Sequence, residues 1–271
     1  MFGISRQAFY QKQQREARRL NQLEQVKTLV VNERRMMPRL GTRKLHYLIT
    51  DEVKSLGIKI GRDALFDFLR SEHLLVKPRK SYTKTTMSKH WLHKHPNLLK
   101  TLKPVRSEQV WVSDITHVPS KQGNTYLSLI TDAYSRKIVG YHLSEDMKAE
   151  SVAKALQMAT KNRKTKLPLI HHSDRGLQYC AENYQQILRS EEITPSMTDG
   201  YDCYQNAMAE RINGILKDEF LLTTYADTQQ LDKVINESIF IYNNRRPHLN
   251  LKYKTPNFIH EESLTDLLDQ G

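Results

Sequence analysis

The stretch that most constrains this chain is VWVSDITHV, Val110 to Val118. Its β-branched and aromatic residues read as a strand that is otherwise buried, yet one carboxylate, Asp114, sits inside it. An aspartate there needs a reason, because an unpaired buried charge is expensive. Two further carboxylates stand in comparable places. Leu167 to His171 reads as a short apolar strand running into the polar turn Ser173-Asp174-Arg175-Gly176, so Asp174 falls at its carboxyl end, where it can point into a cleft. Tyr204 to about Phe220 reads as an amphipathic helix with Tyr204, Met208, Ile212, Ile215 and Leu216 on one side. Asn206, Glu210, Asn213 and Lys217 follow the same period on the other, which leaves one face for packing and one for chemistry.

The 35 residues between Asp174 and Glu210 mean little alone in a chain with 30 acidic residues. Convergence is another matter. Three carboxylates brought together would repel by about 1 kcal/mol per pair in water at 4 Å, and roughly 4 at an effective dielectric of 20, so a cation is expected among them. Oxygen ligands without a Cys or His set favour Mg²⁺ or Mn²⁺ over zinc. Only Cys180 and Cys203 occur, without a CxxC, which argues against a disulfide framework or a zinc site on paired cysteines.

Around these residues the chain reads as three antiparallel strands, Val110–Val118, Tyr126–Ala133 and Ile138–Ser144, joined by short turns. Helix Ala149–Thr160, strand Leu167–His171, helix Ala181–Ser190, strand Ile193–Met197 and the Glu210 helix follow. That alternation implies parallel strands with helices on both faces. Asp132 competes for a metal role, but it begins the turn Asp132-Ala133-Tyr134-Ser135-Arg136, where an Asx-type hydrogen bond accounts for it. His117 and His172 lie near the carboxylates in sequence, and ordinary structural hydrogen bonding is the first reading of each. Thr228 to Asn243 is a helix, followed by Asn243-Asn244-Arg245-Arg246-Pro247-His248. Arg245 and Arg246 suit phosphate contact, or equally a brace onto the core's carboxylates. The acidic end after about Glu261 is a modest helix or tail.

The formal net charge is +12, and its distribution is uneven. Residues 1–100 carry 22 Lys and Arg against 8 Asp and Glu, while the remaining 171 carry 20 against 22. A nucleic-acid-binding arm joined to a catalytic domain has this asymmetry, and so does a merely soluble basic surface. Phe2 to Tyr10 reads as the second half of a helix-turn-helix with Gly3 in the turn and Ser5 as cap, or as an ordinary terminal helix. Gln11 to Glu33 is a long helix whose Leu20, Leu23, Val26 and Val30 could pack locally or zip onto another protomer. Thr42 caps a helix through about Ile49, Leu56-Gly57-Ile58 turns, and Arg62 to about Leu75 forms a second helix with Leu65, Phe66 and Leu69 inward. Arg62, Asp63, Asp67 and Arg70 are its exposed side chains in a DNA-reading arrangement; a helical bundle that touches phosphate through Arg43 and Lys44 is the rival. Val76 to His95 is a basic linker in which Tyr82 and Trp91 could stack on bases, although a lone Trp more often anchors a linker. No apolar run approaches the roughly 18 residues that span a bilayer, and the expectation is a cytoplasmic protein without a membrane partner.

Asp114 in WVSDITHV, Asp174 in HHSDRGLQY and Glu210 in NAMAERINGILKDE resemble the Asp-Asp-Glu integrase core of the IS3-family insertion-sequence transposases, specifically their second reading-frame product. PRLGTRKLHYLIT, Asn97-Leu98-Leu99, TDAYSRKIVGYHL and YNNRRPHLNLKYKTP extend the resemblance over almost the whole chain. It implies a ribonuclease-H-like α/β core, a five-stranded mixed sheet flanked by helices with the Asp114 and Asp174 strands side by side. A small all-α, helix-turn-helix-like domain precedes it. The boundaries are residues 1–75 for the helical region, 76–104 for the linker, 105–225 for the catalytic core and 226–271 for the segment completing it. The implied activity is DNA cleavage and strand transfer at the element's ends by two-metal in-line phosphoryl transfer, with Asp114, Asp174 and Glu210 holding two Mg²⁺ ions, Mn²⁺ as a substitute. Lys217 and Asn213 would meet the DNA backbone beside the site, with Arg43, Lys44, Arg62, Arg245 and Arg246 as further contacts. The implied partners are element ends, target DNA, further copies on DNA, and an upstream reading-frame protein, separate or fused. A catalytically silent DNA-binding or regulatory protein on the same scaffold is the alternative. Two departures stand out. Gln205 occupies a place where many relatives have Asp, which removes an extra ligand but not the triad. The cluster His90, His93 and His95 has no cysteine nearby to form the amino-terminal zinc module of retroviral integrases.

Overall fold

Helix-forming residues run from Arg6 to Met36 without proline or glycine, and the chain forms one continuous helix over them, α1 (Arg6–Met36). The sequence reading divided this stretch at Tyr10, but nothing there breaks a helix. Ser5 caps it, its Oγ accepting from the Ala8 amide at 3.2 Å. The chain is seen here as a computed structural model that describes residues 5–77, 93–199 and 206–268. Gly3, the aromatic residues Tyr82 and Trp91, Cys203, Tyr204 and Gln205 lie outside the described residues.

Two compact units form, Met1–Pro78 and Arg79–Gly271. In the first, α1 is followed by α2 (Thr42–Ser55) and α3 (Arg62–Ser71). Gly41, not Thr42, takes the cap position of α2, and Thr42 is buried. α3 ends about a turn earlier than its apolar pattern implied. His73 adopts a left-handed φ of 55°, and the Leu74 amide donates to Leu69 O at 2.7 Å, which closes the helix. Val26, Val30, Leu45, Ile49, Val53, Leu65 and Leu69 are buried, while Leu20 stays 67% exposed. The apolar stripe of α1 therefore packs only over its carboxyl-terminal half.

The second unit is built on a five-stranded sheet in the order β3-β2-β1-β4-β5. β1 (Val110–Ser120), β2 (Gly123–Asp132) and β3 (Ile138–Ser144) are antiparallel; β4 (Leu169–Ser173) lies parallel to β1, and β5 (Ile193–Met197) parallel to β4. The first hairpin is tighter than expected, with only Lys121 and Gln122 between strands. β4 starts and ends two residues later than predicted, so its last residue is Ser173, immediately before Asp174.

Alternation along β1 sorts its side chains between two layers. Trp111 and Ile115 join Val152, Leu156, Leu169, Tyr184 and Leu188 in a core under α4 (Ala149–Lys161), the short α5 (Leu177–Cys180) and α6 (Glu182–Ser190). Gly140 of β3 permits this packing, because a Cβ there would lie 2.2 Å from Ala155 O of α4. Val110 and Val112 face the other way and pack with Ala133 and Ala209. That second layer consists of α7 (Ala207–Ile215), a π-helical turn (Leu216–Phe220) and α8 (Thr228–Asn244). The Asn243 side chain ties α8 to β3, accepting from the Ile138 amide and donating to its carbonyl, each at 2.9 Å. α9 (Pro256–Leu268) begins earlier than the acidic tail suggested.

Candidate active site

Asp114 shares the face of β1 that carries Val110 and Val112, so it projects beneath α7. The polar stripe of the Glu210 helix meets it there. Asn206 Nδ2 donates to Ser113 O at 2.9 Å, Asn213 Nδ2 to Asp114 Oδ2 at 2.6 Å, and Lys217 Nζ to Thr116 Oγ1 at 3.1 Å. Four residues of helix rise about 6 Å and two residues of strand about 6.6 Å, so the step from Asn213 to Lys217 matches the step from Asp114 to Thr116. The side expected to lie open for chemistry is thus largely the side packed on β1. Asn206 and Asn213 are 4% and 3% exposed, and only Glu210 stands in solvent. Asn213 thus serves as a hydrogen-bond donor to a carboxylate in this structure.

Burial pushes the Asp114 carboxyl up to about 7, with Asp174 and then Glu210 adding repulsion while the Asn213 amide opposes it. Glu210 is raised too, by burial and by Asp174. The three carboxylates therefore feel one another at one end of the sheet. Asp174 follows β4 directly and accepts from the Gly176 amide through Oδ1 at 2.9 Å. A Cβ on Gly176 would stand 2.9 Å from that same oxygen, so glycine keeps the turn open. Among the described residues, no three His, Cys, Asp or Glu side chains are gathered tightly enough to hold an ion unaided.

The other predicted residues divide clearly. Arg246 is 1% exposed, and its donors are spent inside the protein. Nε and Nη2 reach Glu219 Oε2 and Oε1 at 2.8 and 2.6 Å, and Nη1 donates to His248 Nε2 at 3.0 Å. Of its two readings, this geometry fits the brace. Arg245 is exposed. In the helical unit Arg43 is exposed and Lys44 half-buried, whereas Arg62 pairs with Asp63 at 2.8 Å and Arg70 with Asp67 at 2.6 Å. Those pairs offset the positive charge on the outer face of α3. His117 bonds Asn124 and His172 bonds Ser196, each at 2.9 Å, and Asp132 accepts from Tyr134 N, Ser135 N and Ser135 Oγ, as its Asx-turn reading requires.

Sequence reasoning missed Thr116, Glu219, and a polar core behind Asp114 in which His171 Nε2 lies 2.6 Å from Ser113 Oγ and 2.9 Å from the Tyr184 hydroxyl. Burial holds His171 down to about 3, so it is neutral. A period-two reading of β1 and β4 would have put Ser113 and His171 on the helix-covered face; nothing local pointed to Glu219.

Residues 104–203 match an integrase core domain family, and residues 191–256 match a second family of the same description. An uncharacterized 31 kDa protein of insertion element IS600 from Shigella sonnei is 36% identical over 261 residues, covering 94% of either chain. Transposase InsF of insertion sequence IS3A from Escherichia coli K12 is 33% identical over 172 residues, covering 63% of this chain and 60% of InsF. The chain belongs to the IS3 family of insertion-sequence transposases. This transposase is thereby an enzyme of DNA transposition, a class that cuts and joins DNA. Its fold is also that of a chain in the simian T-cell lymphotropic virus intasome bound to PP2A regulatory subunit B56 gamma. That match has a TM-score of 0.52 at 18% identity and covers 81% of the transposase and 74% of that chain.

Proposed function

We propose that the transposase cleaves its element's ends and joins them to target DNA at one site formed by Asp114, Asp174 and Glu210. The observation that carries this reading is the placement of Asp114, half-buried beneath α7 yet repelled by both other carboxylates. Its donors, the Asn213 amide and the Ile115 N–H, are set against repulsion from two carboxylates, a cost that bound cations remove. The donor set fits hard divalent ions, two Mg²⁺ with Mn²⁺ able to replace them, held by the three carboxylates with oxygens of the DNA completing the shell. Such ions supply charge stabilisation to the attacking and leaving oxygens of an in-line displacement at phosphorus.

The protein's own groups prepare that reaction. Asn213 and the Ile115 amide hold the Asp114 carboxylate in place. The Gly176 amide orients Asp174, and Glu210, exposed on α7, closes the set when DNA is bound. Lys217 spends one N–H on Thr116 and has two left for a phosphate. Water attacks first and releases a 3′-hydroxyl at the element's end. That hydroxyl then attacks a target phosphodiester, with no covalent protein intermediate and no ATP. Arg43, Lys44 and Arg245 add contacts to the DNA backbone, Arg62 doing so only by leaving Asp63. Several copies assemble on the DNA, with the upstream reading-frame product as partner or fusion.

The test is strand transfer on the element's own ends, with and without Mg²⁺ and the fused upstream product, following a labelled 3′ end into target DNA. Joining is expected with Mg²⁺ and to vanish with Glu210→Gln while DNA binding persists. Undiminished joining by Glu210→Gln would overturn the three-carboxylate site, and no joining by the parent with Mg²⁺ and the fused product would leave the scaffold as a DNA-binding protein only.

A further inference from the structure

The π-helical turn that follows α7 is held from both sides. On its front, Lys217 donates to Thr116 of β1, two residues beyond Asp114. Residues two apart on a helix face nearly opposite ways, so Glu219 looks back from the sheet, and there it meets Arg246. The contact is a two-pronged guanidinium–carboxylate pair with side chains 2% and 15% exposed. Around it Arg246 lies 5.8 Å over the Tyr242 ring, its remaining prong reaches His248, and the Tyr242 hydroxyl donates to Arg136 O at 3.0 Å. A pair this enclosed is dear to assemble and adds little net stability against an apolar replacement. Its worth lies in geometry, since the planar fork fixes both distance and angle. The turn it holds is irregular. The Leu221 amide donates to Leu216 O at 2.9 Å, the five-residue closure of a π-turn, which changes where every side chain from Leu216 to Phe220 points.

The geometry points to Arg246 and Glu219 as positioning residues for Lys217. The pair sets the rotation of the π-turn and thereby aims the Lys217 ammonium along β1 toward the phosphate beside Asp114. A regular α-helical continuation would swing Lys217 about the axis and slide it off Thr116. The inference rests on the proposed role of Lys217 as a DNA-backbone contact and extends it to two residues that touch neither DNA nor the reacting atoms.

A double-mutant cycle in the full chain tests it. End binding and strand transfer are measured for the parent, Glu219→Gln, Lys217→Ala and the double variant, with thermal transitions recorded alongside. Glu219→Gln should lower strand transfer roughly tenfold when Lys217 is present and less than about twofold when it is replaced. It should also lower the salt slope of end binding by about one phosphate contact, as Lys217→Ala does. Equal losses in both backgrounds, with Lys217→Ala itself impaired, would mean that Glu219 serves the fold in general, and would overturn this inference alone. A Lys217→Ala variant that binds and joins like the parent would overturn both the inference and the DNA-contact role beneath it. Where Glu219→Gln no longer melts in one transition, Arg246→Lys repeats the cycle. It keeps the buried charge and removes only the fork, and it should give the same dependence on Lys217.

Discussion

Asp114 and Asp132 lie on adjacent strands of one antiparallel pair, Asp132 opposite Trp111 and Asp114 opposite Leu129, and both are pushed upward by burial. Each has a carboxylate neighbour, Glu108 in the case of Asp132, but they differ in how many donors surround them. Asp132 is met by the amides of Tyr134, Ser135 and Glu108 and by the Ser135 hydroxyl, all within 3.1 Å. Its neighbour Glu108 is equally served by the amides of Lys164 and Thr165, and His260 bonds Ser135 from α9. Asp114 has the Asn213 side chain and the Ile115 amide as donors, against repulsion from both Asp174 and Glu210. A carboxylate surrounded by N–H groups braces a fold, whereas one that faces other carboxylates is held for something not made of protein.

The sharpest way to break this contrast is to neutralise each aspartate in turn. Asp114→Asn should abolish strand transfer, by on the order of 10³-fold, while the thermal transition holds or rises because a repulsion has gone. Asp132→Ala should do the reverse, costing about 3 kcal/mol or more as its amide donors lose their acceptor, with activity falling only as the fold does. Equal stability losses at the two positions would erase the distinction.

A smaller effect comes from protons. The folded Asp114 carboxyl titrates near 7, against 3.8 for a free aspartate. Without cations its proton therefore stabilises the folded state fully below pH 3.8, and that contribution fades as pH rises to 7. A divalent ion must displace this proton, so Mn²⁺ affinity should fall as pH drops through 7. Calorimetry in buffers of different ionisation enthalpy should show proton release at pH 6 and little at pH 8. The least disruptive probe is Gly176→Ala, whose new methyl presses on Asp174 Oδ1. It should lower strand transfer roughly tenfold with little change in melting, as a small misplacement of a ligand does.

Much of this architecture could be read from the chain. Asp114 was conspicuous because a polar residue interrupts an apolar run, and the strand order followed from short turns and then alternating helices. The period of the Glu210 helix was legible as well, but its sense was not. Asn206, Asn213 and Lys217 look like a solvent face until β1 supplies a carbonyl, a carboxylate and a hydroxyl from about a hundred residues away. Arg246 was ambiguous for the same reason, its partner Glu219 lying in LKDEF, a segment with neither glycine nor proline to announce an irregular turn. Burial of polar side chains depends on partners that only the tertiary fold brings near.

The match between α7 and β1 has a mechanical corollary. The step from Asp114 to Thr116 is spaced like the step from Asn213 to Lys217, so creep of the helix along the strand unseats both donors together. Glu210 rides on that helix, so the bonds that lock the helix in place also fix where its carboxylate stands.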